Sequence, residues 1–463
     1  MNKAIHSFLN QMNACVRYCH WKSNLTLGGG QSGATDFDLL IHKNDRLIFE
    51  KIAFKYGFQK TSTVKERQIK GTEDWIYFCS FAKSVIHLHI HYELWIGAKN
   101  NKSFCVPFSN NILDDRRFDE QNNLWCSSYE HEFILLVLRL LLRQTYVRRK
   151  NSYYTICKNQ SEEFEWLYKK QLPDALKAEL VKCGLNSIMD TVVMNNQVIT
   201  FAQINNSLSK KTMRSLSTWQ VENVIFIEIK RLMRLLIIKA KVKIKFSSRF
   251  YNIHRSFEND GPIVVVIGID GAGKSTIIRK CHNIISKKID CDSVYFGHGK
   301  SGGKLYRLLF LFCVALSRIM PFCRSKIHGI RVLCLRFLAA RKIKQAYIKG
   351  KFVLVDRWPQ ISHKVSDGPI FDKKSGALNM IEEQINKYIN SLPICLISLD
   401  ISVPLAMKRK INNESALLDK QIAINSAQYL GTVVATKNIQ IAEGTSTDHV
   451  ISEIFTVIND TLT

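Results

Sequence analysis

One glycine-rich stretch has the residue types and the spacing that bind the phosphates of a nucleotide. It runs Gly268-Ile-Asp-Gly-Ala-Gly-Lys-Ser275 and matches the GxxxxGK[ST] pattern of a phosphate-binding loop. An apolar run at 263–267 precedes it and a helix-compatible segment at 276–281 follows, which is the strand–loop–helix context that the motif requires. We therefore predict a nucleotide-binding loop rather than a glycine-rich turn without a ligand.

Each residue type in this loop has a physical role. The glycines allow a tight backbone turn whose N–H groups face one concavity, and the next helix adds the positive end of its dipole there. Lys274 is expected to reach the outer phosphates of ATP, and the Ser275 hydroxyl to ligate Mg²⁺. The predicted ATP-binding residues are Gly268, Asp270, Gly271, Ala272, Gly273, Lys274, Ser275 and Thr276.

A second glycine-rich turn, at 28–33, leads into a strand that begins at two carboxylates. Alternation along this strand places Asp36 and Asp38 on one face, with Phe37 and Leu39 on the other. Two carboxylates on one face can share divalent cations, as in two-metal phosphoryl or nucleotidyl transfer. Asp36 and Asp38 are therefore predicted metal ligands, with two solvated acids at a strand start as the alternative.

The residues around this pair resemble the nucleotidyltransferase superfamily related to polymerase β. The matching segments are Tyr18–Asn24, Gly33–Ile41 and His89–Leu94. The resemblance covers about the first hundred residues and implies an α+β nucleotidyltransferase-like domain. His89 stands where the family has its third metal-binding carboxylate, with Glu93 nearby, so an inactive or repurposed domain is an alternative. His87, His89 and His91 share a strand face that could bind a metal or simply be polar.

Composition limits the class of protein. The 463 residues are enough for two or three domains of about 100–200 residues, and 46% hydrophobic content excludes global disorder. Lys and Arg number 66 against 39 Asp and Glu, and the net charge of +27 favours anionic partners. Nucleic acid is an unlikely partner because the sequence shows no recognisable binding module. Thirteen cysteines without a CxxC pair, and an N-terminus without a secretory h-region, predict a cytoplasmic protein.

The hydrophobic pattern predicts an α/β protein with several parts. We expect a nucleotidyltransferase-like domain at 1–110, a helical region at 111–245, a basic linker at 246–261 and a P-loop domain with a parallel sheet at 262–463. The lysines of 241–246 alternate with apolar residues. The apolar run at 308–317 is too short to cross a bilayer, which needs about 20 residues. A core helix is favoured there over a helix lying in a membrane interface.

Two further apolar strands end in charged residues. The first, at 351–355, leads into Asp356-Arg357-Trp358, and the second ends at Asp400, nine residues before Arg409. The carboxyl ends of parallel strands meet at one edge of a sheet, where ligands bind, so we expect these residues to meet the glycine-rich loop. The polar segment 411–419 is suited to a mobile lid.

From about Pro262 onward these pieces together resemble the thymidylate kinase family of nucleoside monophosphate kinases. The matching motifs occur in the family's order: 268–275, Ala339-Ala-Arg341, Asp356-Arg357-Trp358, 399–410 and Glu443-Gly-Thr-Ser446. The resemblance implies that Asp270 and Arg341 contact the phosphate acceptor. The family's Arg-Glu-Pro-Gly segment is absent, and Phe296-Gly-His-Gly-Lys300 stands near its place. Asp367-Gly-Pro369 is an alternative part of an acceptor pocket.

Phosphoryl transfer depends on positioning and on charge stabilisation, and four residues are predicted to provide them. Lys274 would hold the β- and γ-phosphate oxygens, and Asp356 would hold the water shell of the metal or orient the acceptor. Arg357 would neutralise charge on the transferring group, and Arg409 would close over it from the lid.

The first functional hypothesis is an ATP- and Mg²⁺-dependent kinase that acts on a nucleoside monophosphate. One alternative is a kinase acting on a sugar or a lipid-linked glycan in surface polysaccharide synthesis, suggested by the missing acceptor motif and the basic segments. Another is an ATP-gated module that controls the N-terminal domain. The expected partner is a small phosphate acceptor; peripheral contact with the inner face of the membrane and a homodimer are left open.

Overall fold

A computed structural model of the chain describes residues 3–63, 68–98, 101–144, 160–204, 206–221, 255–296, 323–361, 368–371, 376–409, 414–425 and 427–462, with scattered positions between 226 and 237. The segments 241–246, 297–300 and 308–317, Asp367 and most of the predicted linker lie outside the described residues. The chain forms two compact units: Met1–Tyr77 with Ile86–Tyr251, and Phe78–Val85 with Asn252–Thr463.

The first unit contains a mixed β-sheet and a group of helices. Its strands are β1 Tyr18–His20, β2 Phe37–Ile41, β3 Gln59–Ser62, β4 Thr72–Cys79, β5 Ser84–His91, β6 Trp95–Ala98, β7 Asn101–Cys105, β8 Arg117–Asp119, β9 Leu124–Cys126, β10 Val193–Met194 and β11 Gln197–Val198. In the main sheet they follow the order β3-β4-β5-β2-β1-β9-β8, with β2 parallel to β5. The α-helices are Lys3–Cys15, Leu27–Gln31, Arg46–Lys55, Ser109–Asp114, Tyr129–Gln144, Pro173–Lys182, Met189–Val192 and Asn206–Ser215.

Strands and helices both occur in the region that was predicted to be helical. The middle of the helix Tyr129–Gln144 is apolar on all sides, since the six consecutive residues from Phe133 to Leu138 are fully buried in the core of the unit. The strands β8 and β9 also follow residue 110, where the sequence placed a boundary. Because β9 pairs in parallel with β1 at His20 and Cys126, these strands complete the sheet of the first hundred residues.

The second unit is an α/β unit built on a parallel sheet. Its strands are β12 Ser256–Phe257, β13 Ile263–Gly268, β14 Cys291–Tyr295, β15 Phe352–Asp356, β16 Pro393–Ile401 and β17 Thr432–Ile441. The five-stranded sheet has the order β14-β15-β13-β16-β17, and all of its neighbouring pairs are parallel. The α-helices are Lys274–Ile285, Arg324–Ile348, Ala377–Asn390, Val403–Arg409, Glu414–Asn425 and Thr447–Leu462.

The central strand β13 explains why this part of the sequence forms a parallel sheet. Val264, Val265 and Val266 are fully buried, because helices cover both faces of such a sheet. The apolar run therefore continues without alternation, as is typical of a parallel strand. No helix in the described part of the chain combines the length and the apolar character needed to cross a bilayer.

A buried ion pair joins two helices of the second unit. Arg336, in Arg324–Ile348, and Glu382, in Ala377–Asn390, are only 4% and 2% exposed. Their closest nitrogen and oxygen atoms lie 3.4 Å apart. Two charges removed from water need further hydrogen bonds to offset the cost of desolvation.

The segment that follows the Asp-Arg strand supplies those hydrogen bonds. Glu382 accepts from the backbone N–H groups of Ile370 and Phe371, each at 2.8 Å, and Arg336 donates to the carbonyl of Gly368 at 2.7 Å. The ion pair therefore fixes the segment 368–371 as well as the two helices.

Replacing Glu382 by leucine is expected to destabilise the second unit by about 3–5 kcal/mol, because the buried charge of Arg336 would lose its partner. Adding Arg336→Met should recover part of this loss, since two apolar side chains need no partner. Urea unfolding followed by circular dichroism measures both effects. Losses that simply add in the double variant would contradict the coupling.

Candidate functional site

The glycine-rich loop of the second unit joins β13 to the helix Lys274–Ile285. Gly271 and Gly273 have φ values of 93° and 90°, which favour glycine. A Cβ atom on Gly271 would lie 2.7 Å from the carbonyl oxygen of Ala406, so a side chain has no room there. The loop thus has the compact backbone that the motif predicted.

Lys274 is buried at the first position of that helix. Its Nζ atom donates hydrogen bonds to the carbonyl oxygens of Gly268 and Ile269, both at 2.9 Å. The ammonium group is thereby held at the loop by the loop's own backbone. A phosphate group bound there would face a fixed positive charge and the N-terminus of a helix of twelve residues.

Asp356 reaches the loop because β15 lies next to β13. The parallel register places Asp356 beside Val266, two residues before the loop begins its turn at Gly268. The Ser275 hydroxyl donates a hydrogen bond of 2.8 Å to Oδ2 of Asp356. The strand-end carboxylate and the loop hydroxyl therefore meet, as the sequence predicted for a parallel sheet.

These two side chains also fit a Mg²⁺ ion. A hydroxyl and a carboxylate are hard oxygen donors, which Mg²⁺ prefers. Oδ1 of Asp356 is buried and has no hydrogen-bond partner among the described residues. A buried carboxylate oxygen without a partner is costly, and a cation or its water shell would satisfy it.

Arg357 continues from Asp356 in a rare backbone conformation. Its φ of 72° lies in the left-handed region, which costs free energy in a residue with a side chain. Its N–H donates to the carbonyl of Val266 at 3.1 Å. Nη2 of Arg357 donates to Oδ1 of Asp270 at 2.9 Å. The strained turn therefore directs the guanidinium group to the glycine-rich loop.

Asp270 is the centre of an ion-pair cluster. Besides Arg357 it binds Nζ of Lys420, which lies 3.0 Å from Oδ2. Burial would raise the pKa of Asp270, but the hydrogen bond and charge of Lys420 and the charges of Arg357 and Lys274 outweigh it, so this pKa lies below its ordinary value. The carboxylate is ionised at neutral pH and neutralises two cations beside the phosphate-binding loop.

Sequence reasoning assigned no role to Lys420. This residue lies on the helix Glu414–Asn425, which includes part of the predicted lid. The next residue, Gln421, donates to Asp400 at the end of β16 at 2.6 Å and so ties the helix to the sheet. The available signal was that Lys420 is the cation that follows Arg409 and Lys410 in this polar segment.

Two predicted arginines of the second unit are exposed. Arg341 lies on the helix Arg324–Ile348, and its charge acts on Tyr388. Arg409 is exposed at the end of Val403–Arg409. No hydrogen bond or ion pair among the described residues joins either arginine to Asp270.

Three other motif residues differ in their burial. Trp358, which follows the Asp-Arg pair, is buried, and its ring centroid is 5.0 Å from that of Phe296. Its Nε1 donates to the carbonyl of Leu430. Ala272 is buried within the loop, whereas Thr276 is exposed on the first turn of the following helix.

The two carboxylates of the first unit have separate partners. Oδ1 of Asp38 lies 2.7 Å from Nζ of Lys22 and 3.0 Å from Nδ1 of His89. Asp36 pairs instead with Nδ1 of His87 at 3.1 Å, and Nε2 of the same ring lies 2.7 Å from Asp74. Hydrogen bonds to His89 and His91 and the charge of Lys22 overcome burial and hold the pKa of Asp38 well below its usual range.

This arrangement does not fit a pair of Mg²⁺ ions. Two-metal sites need carboxylates that bridge or face the same ions. Asp36 is engaged with His87, whereas Asp38 faces Lys22, His89 and His91, so the two carboxylates do not face one shared ion. The expectation that both aspartates share Mg²⁺ is therefore not supported by the geometry of the described residues.

A third carboxylate of the first unit, Glu132, is buried and forms no ion pair among the described residues. Glu132 is 1% exposed and accepts hydrogen bonds from the backbone N–H and from Nδ2 of Asn24, at 2.8 and 2.6 Å. Burial is the main cause that raises the pKa of Glu132 to about 7, although these hydrogen bonds oppose it. Asn24 in turn lies 2.7 Å from Nδ1 of His20.

Comparison with known proteins gives limited likenesses. No protein-family model matches the chain. An uncharacterised ATP-binding protein, YghS, of Escherichia coli (strain K12) is 24% identical over 188 residues, which cover 35% of this chain and 78% of that protein. Thymidylate kinase from Candida albicans is 14% identical with a TM-score of 0.28, over 44% of this chain and 94% of its own. Thymidylate kinase from Ehrlichia chaffeensis is 16% identical with a TM-score of 0.27, over 43% and 98%. Values this low do not assign the chain to a family.

Glu132→Gln is expected to change how the stability of the first unit depends on pH. The pKa of Glu132 is about 7 in the folded chain and about 4.3 in the unfolded chain, so the folded state binds more protons. The stabilisation that the protonated Glu132 gives to the fold is therefore complete below about pH 4 and is lost as the pH rises through 7. The glutamine cannot ionise, so the variant does not lose this stability as the pH rises.

Urea unfolding at several pH values between about 5 and 8 measures the difference. The free energy of unfolding of Glu132→Gln should improve relative to wild type as the pH rises. A difference that stays constant over this range would show that Glu132 does not titrate near 7.

Proposed function

We propose that the second unit binds ATP over the loop 268–276 and transfers its γ-phosphoryl group to a small-molecule acceptor, as a thymidylate kinase-like phosphotransferase. The observation that supports this proposal is the meeting of strand-end residues with the loop. Asp356 lies 2.8 Å from Ser275, and Arg357 lies 2.9 Å from Asp270. A simple phosphate-binding turn does not need a buried carboxylate and an arginine from the neighbouring strand.

The side chains divide the work of phosphoryl transfer between them. Lys274 exchanges its two carbonyl contacts for phosphate oxygens, which bind an ammonium more strongly because they are charged. Arg357 and Lys420 supply positive charge that stabilises the negative charge on the phosphoryl group during its transfer. Asp356 orients the acceptor or accepts its proton. Mg²⁺, held by Ser275 and Asp356, would neutralise phosphate charge when bound.

The acceptor proposed first is a nucleoside monophosphate, on the resemblance of the motifs. Each oxygen of Asp270 accepts from one cation and keeps a second lone pair, so the carboxylate can also accept a hydrogen bond from such an acceptor. A sugar or lipid-linked glycan acceptor stays an untested alternative, and the apolar run at 308–317 lies outside the described residues. Arg341 and Arg409 keep their predicted roles only as proposals, as do membrane contact and a homodimer.

One observation favours a second candidate function. In this structure Asp270 pairs with both Arg357 and Lys420. An anion that competes for these cations would free the helix Glu414–Asn425 from the loop. The unit could thus act as an ATP-gated switch for the nucleotidyltransferase-like first unit without transferring phosphate.

Isothermal calorimetry with Mg·ATP, followed by an assay for ADP release with a panel of acceptors, separates these functions. The panel contains nucleoside monophosphates, simple sugars and a detergent-dispersed lipid-linked sugar. ATP binding with acceptor-dependent ADP release supports the kinase. Binding without transfer to any acceptor supports the switch, and absence of binding would overturn both.

Lys274→Ala and Asp356→Asn are expected to fail in different ways. Lys274→Ala should abolish detectable ATP binding. Asp356→Asn should bind ATP within a few-fold of wild type but lower kcat by about 10²–10³, since it removes a charged group that acts on the reacting atoms.

Lys408→Ala is the matched control, because Lys408 carries the same charge on an exposed helix end and pairs with the exposed Glu443. Its kinetics should match those of the wild type. Unchanged turnover in Lys274→Ala would refute the assignment of the loop.

A further inference from the structure

We propose that Asp38, His89 and His91 of the first unit bind one transition-metal ion of the Zn²⁺ type. This site would replace the pair of Mg²⁺ ions that two aspartates on one strand face suggest. The three side chains converge on one point: Oδ1 of Asp38, Nδ1 of His89 and Nε2 of His91.

The distances between these three atoms match those of a tetrahedral metal site. Nδ1 of His89 lies 3.0 Å from the Asp38 oxygen and 3.2 Å from Nε2 of His91, and the third separation is 3.6 Å. In a tetrahedral zinc site with bonds of about 2.0–2.1 Å, neighbouring ligand atoms lie about 3.3 Å apart. The triangle can therefore receive an ion without a large movement of any ligand.

Hydrogen bonds alone satisfy this triangle poorly. A proton on Nδ1 of His89 can be donated to Asp38 or to His91, but it cannot serve both fully. Nδ1 of His91 lies outside the triangle, on the other side of the ring, and it is buried with no hydrogen-bond partner among the described residues, so no contact there fixes which ring nitrogen carries the proton. The His91 ring is nevertheless held toward the centre by edge-on packing against Trp21, at 5.2 Å between centroids. A metal ion would engage all three ligand atoms at once.

The backbone fixes the positions of these ligands. Asp38 and His89 are direct neighbours in the parallel pair β2–β5. His89 and His91 are two residues apart on one strand, so they project from the same face. Sites built on paired strands hold their geometry better than sites on loops.

The donor set selects the type of metal. Two imidazoles and one carboxylate suit Zn²⁺ and related transition metals, whereas Mg²⁺ requires mostly oxygen ligands in octahedral geometry. Asp36 does not add a second carboxylate, since it pairs with His87. A histidine at position 89, in place of a carboxylate, would thus keep a metal ligand there and favour a different kind of metal.

Lys22 competes with the metal for Asp38. Its Nζ lies 2.7 Å from the same Oδ1, and its side chain is 23% exposed, so it can turn toward solvent when a cation binds. Removing this competitor should strengthen metal binding. If the strand face bound no metal, removing Lys22 would not increase metal affinity, because the lysine would then do no more than neutralise Asp38.

The test is a titration of the metal-free full-length chain with Zn²⁺ and Co²⁺ near neutral pH. We expect one ion per chain at this site and a loss of at least about tenfold in affinity in His89→Ala and His91→Ala, since loss of an outer-shell partner alone costs about 10–100-fold. Lys22→Met should bind about two- to fivefold more tightly, the effect expected from removal of one partly exposed ion pair. His449→Ala is the control, because this histidine is exposed in the second unit.

A second group in the first unit, His131, Glu179 and Cys183, also brings three potential ligand atoms together. It is distinguished by its sulfur, because Co²⁺ bound to a thiolate has an intense charge-transfer band that oxygen and nitrogen ligands do not give. Cys183→Ala should leave the proposed site unchanged. The proposal is overturned if wild type binds no Zn²⁺, if binding is lost in Cys183→Ala, or if Lys22→Met and His89→Ala both bind as wild type does.

Discussion

The parallel pairing of β13 with β15 is the constraint on which the candidate site of the second unit depends. It places Asp356 beside Val266, and the turn that follows directs Arg357 to the glycine-rich loop. The two segments are more than eighty residues apart in sequence, yet their chemistry meets at one sheet edge. A shift of the register would move the carboxylate away from Ser275. The buried valines of β13 and β15 hold that register, because they fill both faces of the sheet.

Charge at this edge is arranged in two ways. At the surface of the site, Asp270 holds Arg357 and Lys420 in contacts that remain partly exposed and can open. Deeper in the unit, Arg336 and Glu382 are almost fully buried and are completed by backbone groups of the segment 368–371. The first arrangement can exchange partners with an anion at low cost. The second cannot, because a lone charge inside the core is expensive, so it fixes the two helices and the segment 368–371.

The first unit shows how neighbouring residues change the meaning of a motif. Two aspartates separated by one residue suggest a shared metal site when only their spacing is considered. In the folded chain, Asp36 faces His87, and Asp38 faces Lys22, His89 and His91. Those partners come from other strands and loops and decide the charge of the site. They also make imidazole nitrogen, rather than carboxylate oxygen, the main available ligand.

The phosphate-binding loop, its flanking strand and helix, and the meeting of Asp356 with that loop could be predicted from sequence, because they follow from short-range patterns and from the rule that parallel strands end at one edge. The pairing of Lys420 with Asp270 could not be predicted, since it depends on how the helix Glu414–Asn425 packs. The same holds for the buried pair Arg336–Glu382 and for the exposed position of Arg341, because helical rotation and distance along a packed helix are tertiary properties. Local residue types thus determined which chemistry is available in each unit. Only the packing of distant segments decided which charges neutralise one another, because desolvation and ion pairing depend on neighbours in space and not on neighbours in the chain.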